Sequence, residues 1–159
     1  MCSLTSGCRS LKLDPKWKPL EIVEESVYQS KGIVSTIGNT LIVYDLDTWQ
    51  RGNPKGSINR ESLLRHERVH SYRQKKYGLT KYLYRYWTDK EFRWQEEQHA
   101  LYACLTYKKK MKKHIYVKSL AHFLSGPVYC RMISYNKAKT FVESVLNGSW
   151  KPIVEMLLK

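Results

Sequence analysis

Long apolar runs are missing from this chain. The most apolar window, Ser119 to Cys130, falls short of the ~18–20 residues that a membrane-spanning helix needs and contains His122 and Pro127, so no membrane span is expected. The amino terminus lacks a charged segment leading into an apolar one, so no secretory signal is expected, and Ser6-Gly7-Cys8 has no apolar stretch before it to make a lipoprotein cleavage site. Cysteine is scarce as well. Cys2, Cys8, Cys104 and Cys130 show neither C-x-x-C spacing nor the density of a disulfide framework, so they read as reduced thiols of a cytoplasmic protein, and none as a zinc ligand. No internal repeat is found, which excludes a solenoid. Acidic residues are in deficit. Asp and Glu number 14 against 28 Lys and Arg, and the net charge of +14 favours anionic partners such as nucleic acid, anionic lipid or acidic wall polymers.

Aromatic residues, in contrast, are plentiful: twelve Tyr and five Trp in 159 residues, enough chain for one domain whose core needs no disulfide staples. Residues 1–19, with Pro15 and Pro19 around Trp17, read as an irregular arm. Glu21 to Tyr28 and Ile33 to Asp45 are rich in Val, Ile, Thr and Tyr, and Gly38-Asn39 breaks the second run as a hairpin turn does; they predict a small antiparallel sheet of two to three strands. Gly52, Pro54 and Gly56 form a loop, after which Ser57 or Asn59 caps a helix over about Arg60 to Tyr77 that Gly78 ends. A short aromatic helix or turn covers Leu79 to Trp87, and the capping box Thr88-Asp89-Lys90-Glu91 opens a helix running to about Lys108. Farther on, Pro127 starts a helical segment. Ala138, Phe141, Val142, Val145 and Leu146 recur at helical spacing as core before Asn147-Gly148, and Pro152 to Leu158 adds a final turn or two. The fold expected is α+β and mainly helical, a single domain in which residues 20–110 carry the strands and site helices and 111–159 the C-terminal helices.

One segment names a reaction. His66-Glu67-Arg68-Val69-His70 reads H-E-x-x-H, a pattern that this composition would produce by chance roughly 0.01 times, so coincidence is a poor account of it. Helical residues four apart lie about 5–6 Å from each other on one face, so His66 and His70 can hold one divalent cation together. Glu67 points to the side, toward a water on that cation, where a general base is needed. Leu63, His66, Glu67, His70, Gln74 and Tyr77 form one stripe facing inward, with Arg65, Arg68, Lys75 and Lys76 mostly elsewhere. The alternative is a solvated charged helix in which Arg65, Arg68 and Arg73 pair with Glu61 and Glu67 at the surface.

Catalytic zinc takes three protein ligands, so a third must come from another helix. The metzincin extension is excluded, because Lys76 stands six residues after His70, where that class has its third histidine, and position 73 is Arg73. Glu97 is preferred. It shares a helix face with Trp94, Leu101 and Cys104 that turns toward the core, whereas Glu96 neighbours Phe92, Ala100 and Ala103. Glu96 and His99 stand as rivals, and His99 reads equally as a surface histidine on a wet helix face. His114 and His122 read as structural or solvated.

The run Leu63-Leu64-Arg65-His66-Glu67-Arg68-Val69-His70, Gln74, and Glu97 followed three residues later by Ala100 resemble the gluzincin type of zinc metallopeptidase. More narrowly, they resemble small phage and bacterial zincin-like proteins with a His-Glu-x-x-His-x-x-x-Gln helix and a downstream Glu-rich helix. The resemblance covers about residues 32–105, and Leu101 departs from it where several gluzincins carry an acidic residue. It implies a zincin-like domain in which Ile33 to Asp45 form the edge sheet that holds an extended substrate. It also implies Zn2+ on His66, His70 and Glu97, with Glu67 taking a proton from the zinc-bound water and returning it to the departing nitrogen. A Tyr, Arg or His between Tyr72 and Arg93 would stabilise the oxyanion. The activity expected is that of a zinc metallopeptidase or amide hydrolase acting on a protein, a peptide, a wall-polymer peptide stem or its own chain, in the cytoplasm of the producing cell or in a phage particle.

Two other functions compete with it. Lys108, Lys109, Lys110, Lys112 and Lys113, with Tyr107 and Tyr116 close by, suit a nucleic-acid-binding module whose lysines follow phosphates while the tyrosines stack on bases. The same run also reads as a solvated helix end favoured by the macrodipole. The third function is a structural or phage-assembly protein in which zinc only ties two helices together.

Overall fold

β-Branched residues put the first described part of the molecule into strands. In the computed structural model, which describes residues 19–25 and 34–152, β1 (Glu21–Glu24), β2 (Val34–Ile37) and β3 (Thr40–Val43) form one sheet in the order β1-β3-β2. Gly38 turns the chain between β2 and β3 at a φ of 60°, and the two strands pair antiparallel from Ile37↔Thr40 to Val34↔Val43. β1 lies on the other side of β3 and runs parallel to it, from Glu21↔Thr40 to Glu24↔Val43. The sheet is therefore mixed, which corrects the antiparallel sheet expected: a parallel neighbour arrives by a crossover, and no tight turn announces it in the sequence. The arm up to residue 18, with Cys2 and Cys8, the far end of the first strand run at 26–28, and the turn expected after Pro152 lie outside the described residues.

Asp45 does not end a strand. It caps a helix absent from the sequence reading, α1 (Leu46–Gly52), its carboxylate accepting from the Thr48 N–H at 2.6 Å while Trp49 is buried below. The central helix α2 (Ile58–Tyr77) starts at Ser57, whose Oγ accepts from the Arg60 N–H, and ends at Gly78. After α3 (Leu79–Thr88) comes α4 (Lys90–Lys110), capped by Asp89 accepting from the Phe92 N–H at 2.9 Å, one residue later than the Thr88 cap expected. The rest comprises α5 (Val117–Leu124), one 3-10 turn at Pro127–Tyr129 and α6 (Tyr135–Asn147), which Gly148 stops in the left-handed conformation.

Two apolar clusters hold these elements. Leu20, Leu41, Val43, Trp49 and Leu64 join the sheet, α1 and α2. Trp94, Leu101 and Leu105 of α4 meet Ala121 and Leu124 of α5 and Ala138, Phe141, Val142 and Val145 of α6. Between α2, which belongs to the first cluster, and α4, which belongs to the second, runs the most extensive contact between elements. There the buried side chains are polar: His66, Glu67, His70, Arg73, Gln74, Glu96 and Glu97. Such a seam is stable only where each charge finds a partner.

Candidate metal centre

The stripe expected on α2 does face inward. His66, Glu67, His70 and Gln74 are buried, Leu63 and Tyr77 half-buried, Lys75 and Lys76 exposed. Arg73 corrects the surface pairing considered for it: it is 3% exposed, and its Nε and Nη2 donate to the two carboxylate oxygens of Glu96 on α4. Glu96, fully buried, is thereby committed to Arg73. Glu97 is one residue on and about 100° around the helix, and it meets the histidines. Its Oε2 lies 3.4 Å from His66 Nε2 and its Oε1 3.4 Å from His70 Nε2, while the two Nε2 atoms are 3.1 Å apart. Among the described residues, these three side chains form the group able to hold a metal ion, with ligand atoms within 4.8 Å of one another.

The rivals lie elsewhere. His99 is not a surface histidine but is buried beside Trp150, with its ring centroid 6.0 Å from the indole, and burial together with Arg73 lowers its pKa to about 4. His114 and His122 are exposed and pack on Tyr116 and Tyr135. Cys104 and Cys130 are free thiols.

A tetrahedral ion with bonds of ~2.0–2.1 Å has ligand atoms about 3.3–3.4 Å apart, and the observed separations sit close to that value. Glu97 Oε2 is buried without a hydrogen-bond partner. A carboxylate oxygen left orphaned among imidazole nitrogens fits a divalent cation. Burial opposes a charged His70, but Glu97 first, with Glu67 and Glu96 adding to it, raises its pKa to about 9. Burial equally opposes the Glu97 carboxylate, and His70 and His66 overcome it, holding Glu97 well below the usual carboxylate range. A proton and a metal ion thus compete for the same nitrogens.

Three tyrosines enclose the centre. Gly78, at a φ of 83°, lets α3 fold back on α2, and there Tyr82 and Tyr86, four residues apart, stack with centroids 5.9 Å apart. The Tyr82 hydroxyl is 3.0 Å from His70 Nδ1, and the Tyr86 hydroxyl donates to Glu97 Oε1. The contact holds the His70 ring in orientation, and with a cation on Nε2 the Nδ1 would carry the proton and donate to Tyr82. Tyr129, from the 3-10 turn, lies in the field of the Glu97 carboxylate. Burial and then the nearby carboxylates push all three phenols well above their ordinary pKa, so they stay protonated and able to donate. Of these, Tyr82 and Tyr86 fall within the stretch expected to supply an oxyanion partner. Tyr129 lies outside it, and nothing in its local sequence marks it.

Glu67 is placed by the sheet. Its Oε2 accepts from Thr36 Oγ1 on β2 at 2.7 Å, and farther along the same stripe Gln74 donates from Nε2 to the Thr36 carbonyl at 2.7 Å and accepts from the Gly38 N–H at 2.6 Å. β2 is an edge strand, so the strands expected to border a substrate do sit against the H-E-x-x-H helix. Thr36 too was invisible to local pattern.

The lysine run divides. Lys109 Nζ donates to the Leu146 carbonyl at 2.5 Å at the end of α6, while Lys110, Lys112 and Lys113 are exposed. Tyr107 lies under the Arg65 guanidinium, 4.3 Å from its ring centroid, and Tyr116 is 71% exposed. Among the described residues no helix is long and apolar enough to cross a membrane. Comparisons with protein-family models, with curated proteins and with solved structures gave no match to this chain.

Proposed function

We propose that this protein is a zinc-dependent amide hydrolase, a small metallopeptidase of gluzincin type. The observation that carries the reading is the meeting of His66, His70 and Glu97 at one point with the Glu67 carboxylate on the next residue of the same helix, steadied by Thr36. A divalent cation held there would acidify water and polarise a carbonyl. Glu67 accepts the proton of the attacking water and delivers it to the departing nitrogen. Tyr82 keeps the His70 ring turned inward, and Tyr86, a protonated donor bonded to Glu97, is the hydroxyl we assign to a substrate oxygen as it gains charge. The two imidazoles keep 10% of their side-chain surface exposed, which leaves water a way in.

A second reading rests on the enclosure of Glu97, 2% exposed and bonded by Tyr86: a metal that only ties α2 to α4. Metal analysis combined with hydrolysis assays on a protein, a wall-peptide stem and the chain itself separates the two. Glu67→Gln keeps the metal and loses hydrolysis, and His66→Ala loses both. Equal hydrolysis by wild type and Glu67→Gln removes the assigned base, and metal binding without hydrolysis in the wild type favours the tie.

A further inference from the structure

The chain that joins α4 to α5 gathers charge of one sign. From Gln98 to Val142 the sequence has no Asp or Glu, while lysines stand at 108, 109, 110, 112, 113 and 118. Outside the described residues the acids are Asp14 and Glu155, against Arg9, Lys12, Lys16, Lys18, Lys31 and Lys159, so those segments add positive charge in total. The fold sorts the six lysines. Lys109 is tied to the Leu146 carbonyl and Lys108 is half-buried, whereas Lys110, Lys112, Lys113 and Lys118 are exposed. Among the described residues no ion pair or side-chain hydrogen bond involves any of these four.

Two of them stand where local stability favours another residue. α4 ends with the Lys113 N–H donating to the Lys108 carbonyl at 2.9 Å and the Lys112 N–H to the Lys109 carbonyl at 3.0 Å, the Schellman pattern, which places Lys112 at a φ of 53°. Glycine is the residue that this left-handed position favours. Lys118 lies in the first turn of α5, where the helix dipole disfavours a cation. The same dipole favours lysines within the last turn of α4 but fades beyond it, so helix electrostatics accounts for neither Lys112 nor Lys118. Beside them Tyr116 is 71% exposed, edge-on to the His114 ring with centroids 4.4 Å apart. Ile115 and Val117 turn inward onto the C-terminal cluster. Apart from Met111, the outer face therefore offers cations and aromatic rings rather than the continuous apolar surface of a segment seated in a membrane.

We infer that residues 110–118 bind single-stranded nucleic acid, with Lys110, Lys112, Lys113 and Lys118 facing phosphates and Tyr116 stacking on a base. Bases in a duplex are already stacked on one another and leave no face for the tyrosine ring. None of the residues invoked is a ligand of the metal centre, so the inference stands whether or not that centre hydrolyses amides.

Fluorescein-labelled oligo(dT) and oligo(U) of about 16 nucleotides are titrated with the full chain and followed by anisotropy at several salt concentrations, beside a labelled duplex of equal length and vesicles of phosphatidylserine and phosphatidylcholine. The expected result is saturable binding of the single strand, tighter than that of the duplex, with log K falling against log salt at a slope of about −2.8 for four phosphates neutralised. The tighter of the two oligonucleotides identifies the sugar recognised. Lys112→Gly combined with Lys113→Ser flattens that slope by about 1.4, and Tyr116→Ala weakens binding about fivefold or more. Lys112→Gly alone unfolds no more easily than wild type in denaturant yet binds more weakly, which separates loss of contact from loss of fold. The inference is overturned by no saturable binding of either oligonucleotide, by a duplex bound as tightly as the single strand, by vesicles retaining the chain where the oligonucleotides do not, by a slope unchanged in the lysine variant, or by an affinity unchanged in Tyr116→Ala.

Discussion

One helix, α4, is packed by opposite means on two of its sides. Toward α6 it offers Trp94, Leu101 and Leu105 to an apolar cluster; toward α2 it offers Glu96 and Glu97 to an arginine and two histidines. The first contact needs only volume and shape, and its contribution scales with apolar area removed from water, at roughly 25 cal/mol per Å². The second removes charges from water and recovers that cost only through pairing, so apolar residues of equal volume would hold the helices at least as well. Placing charges in that seam serves position rather than stability. In this protein the position gained is that of Glu97.

The sharpest way to break this comparison is at Arg73. Arg73→Ala leaves the Glu96 carboxylate buried and alone and should lower unfolding free energy by about 3–5 kcal/mol in denaturant titrations, whereas Arg73→Met with Glu96→Leu should return to within about 2 kcal/mol of wild type. A double variant as unstable as the single one would mean that the ion pair itself carries stability. On the apolar side, Leu124→Ala empties volume at a fully buried site and should cost about 3 kcal/mol while leaving metal affinity unchanged; a loss of affinity there would show that the two sides are not separable.

The smallest effect is on pH dependence. Without metal, the raised pKa of His70 means that its pairing with Glu97 contributes fully below the ordinary value of 6.5 and is lost as pH rises through about 9. Glu97, held low, contributes above its ordinary 4.5 and loses that contribution as pH falls. Metal affinity runs opposite to the His70 effect. Chelator competition should show it strengthening by up to about tenfold per pH unit as pH rises toward 9 and levelling above it, with the His70 contribution to the slope gone in His70→Ala.

Much of this arrangement was legible because it is local. Ser57 and Gly78 bound α2, the 3-4 spacing from Leu63 to Tyr77 turned both histidines inward, and one step around the helical wheel separated Glu97 from Glu96. What escaped was set by distant partners. Arg73 finds Glu96 on another helix, β1 pairs parallel with β3 across an intervening segment, and Thr36 and Tyr129 reach the centre from opposite ends of the described chain. α1 is a different case: Asp45 with Thr48 three residues on is a local cap, but the β-branched run just before it dominates the pattern. His99 misled because a helix packed on several sides has no wet face to assign.

The amide of Gly38 sits at the tip of a hairpin, where backbone hydrogens ordinarily swap with deuterium from solvent almost at once, yet it is bonded to the buried side chain of Gln74. Its exchange rate therefore times the undocking of the sheet from α2. A single resonance in a turn thus becomes a clock for how long the carboxylate of Glu67 is held in place.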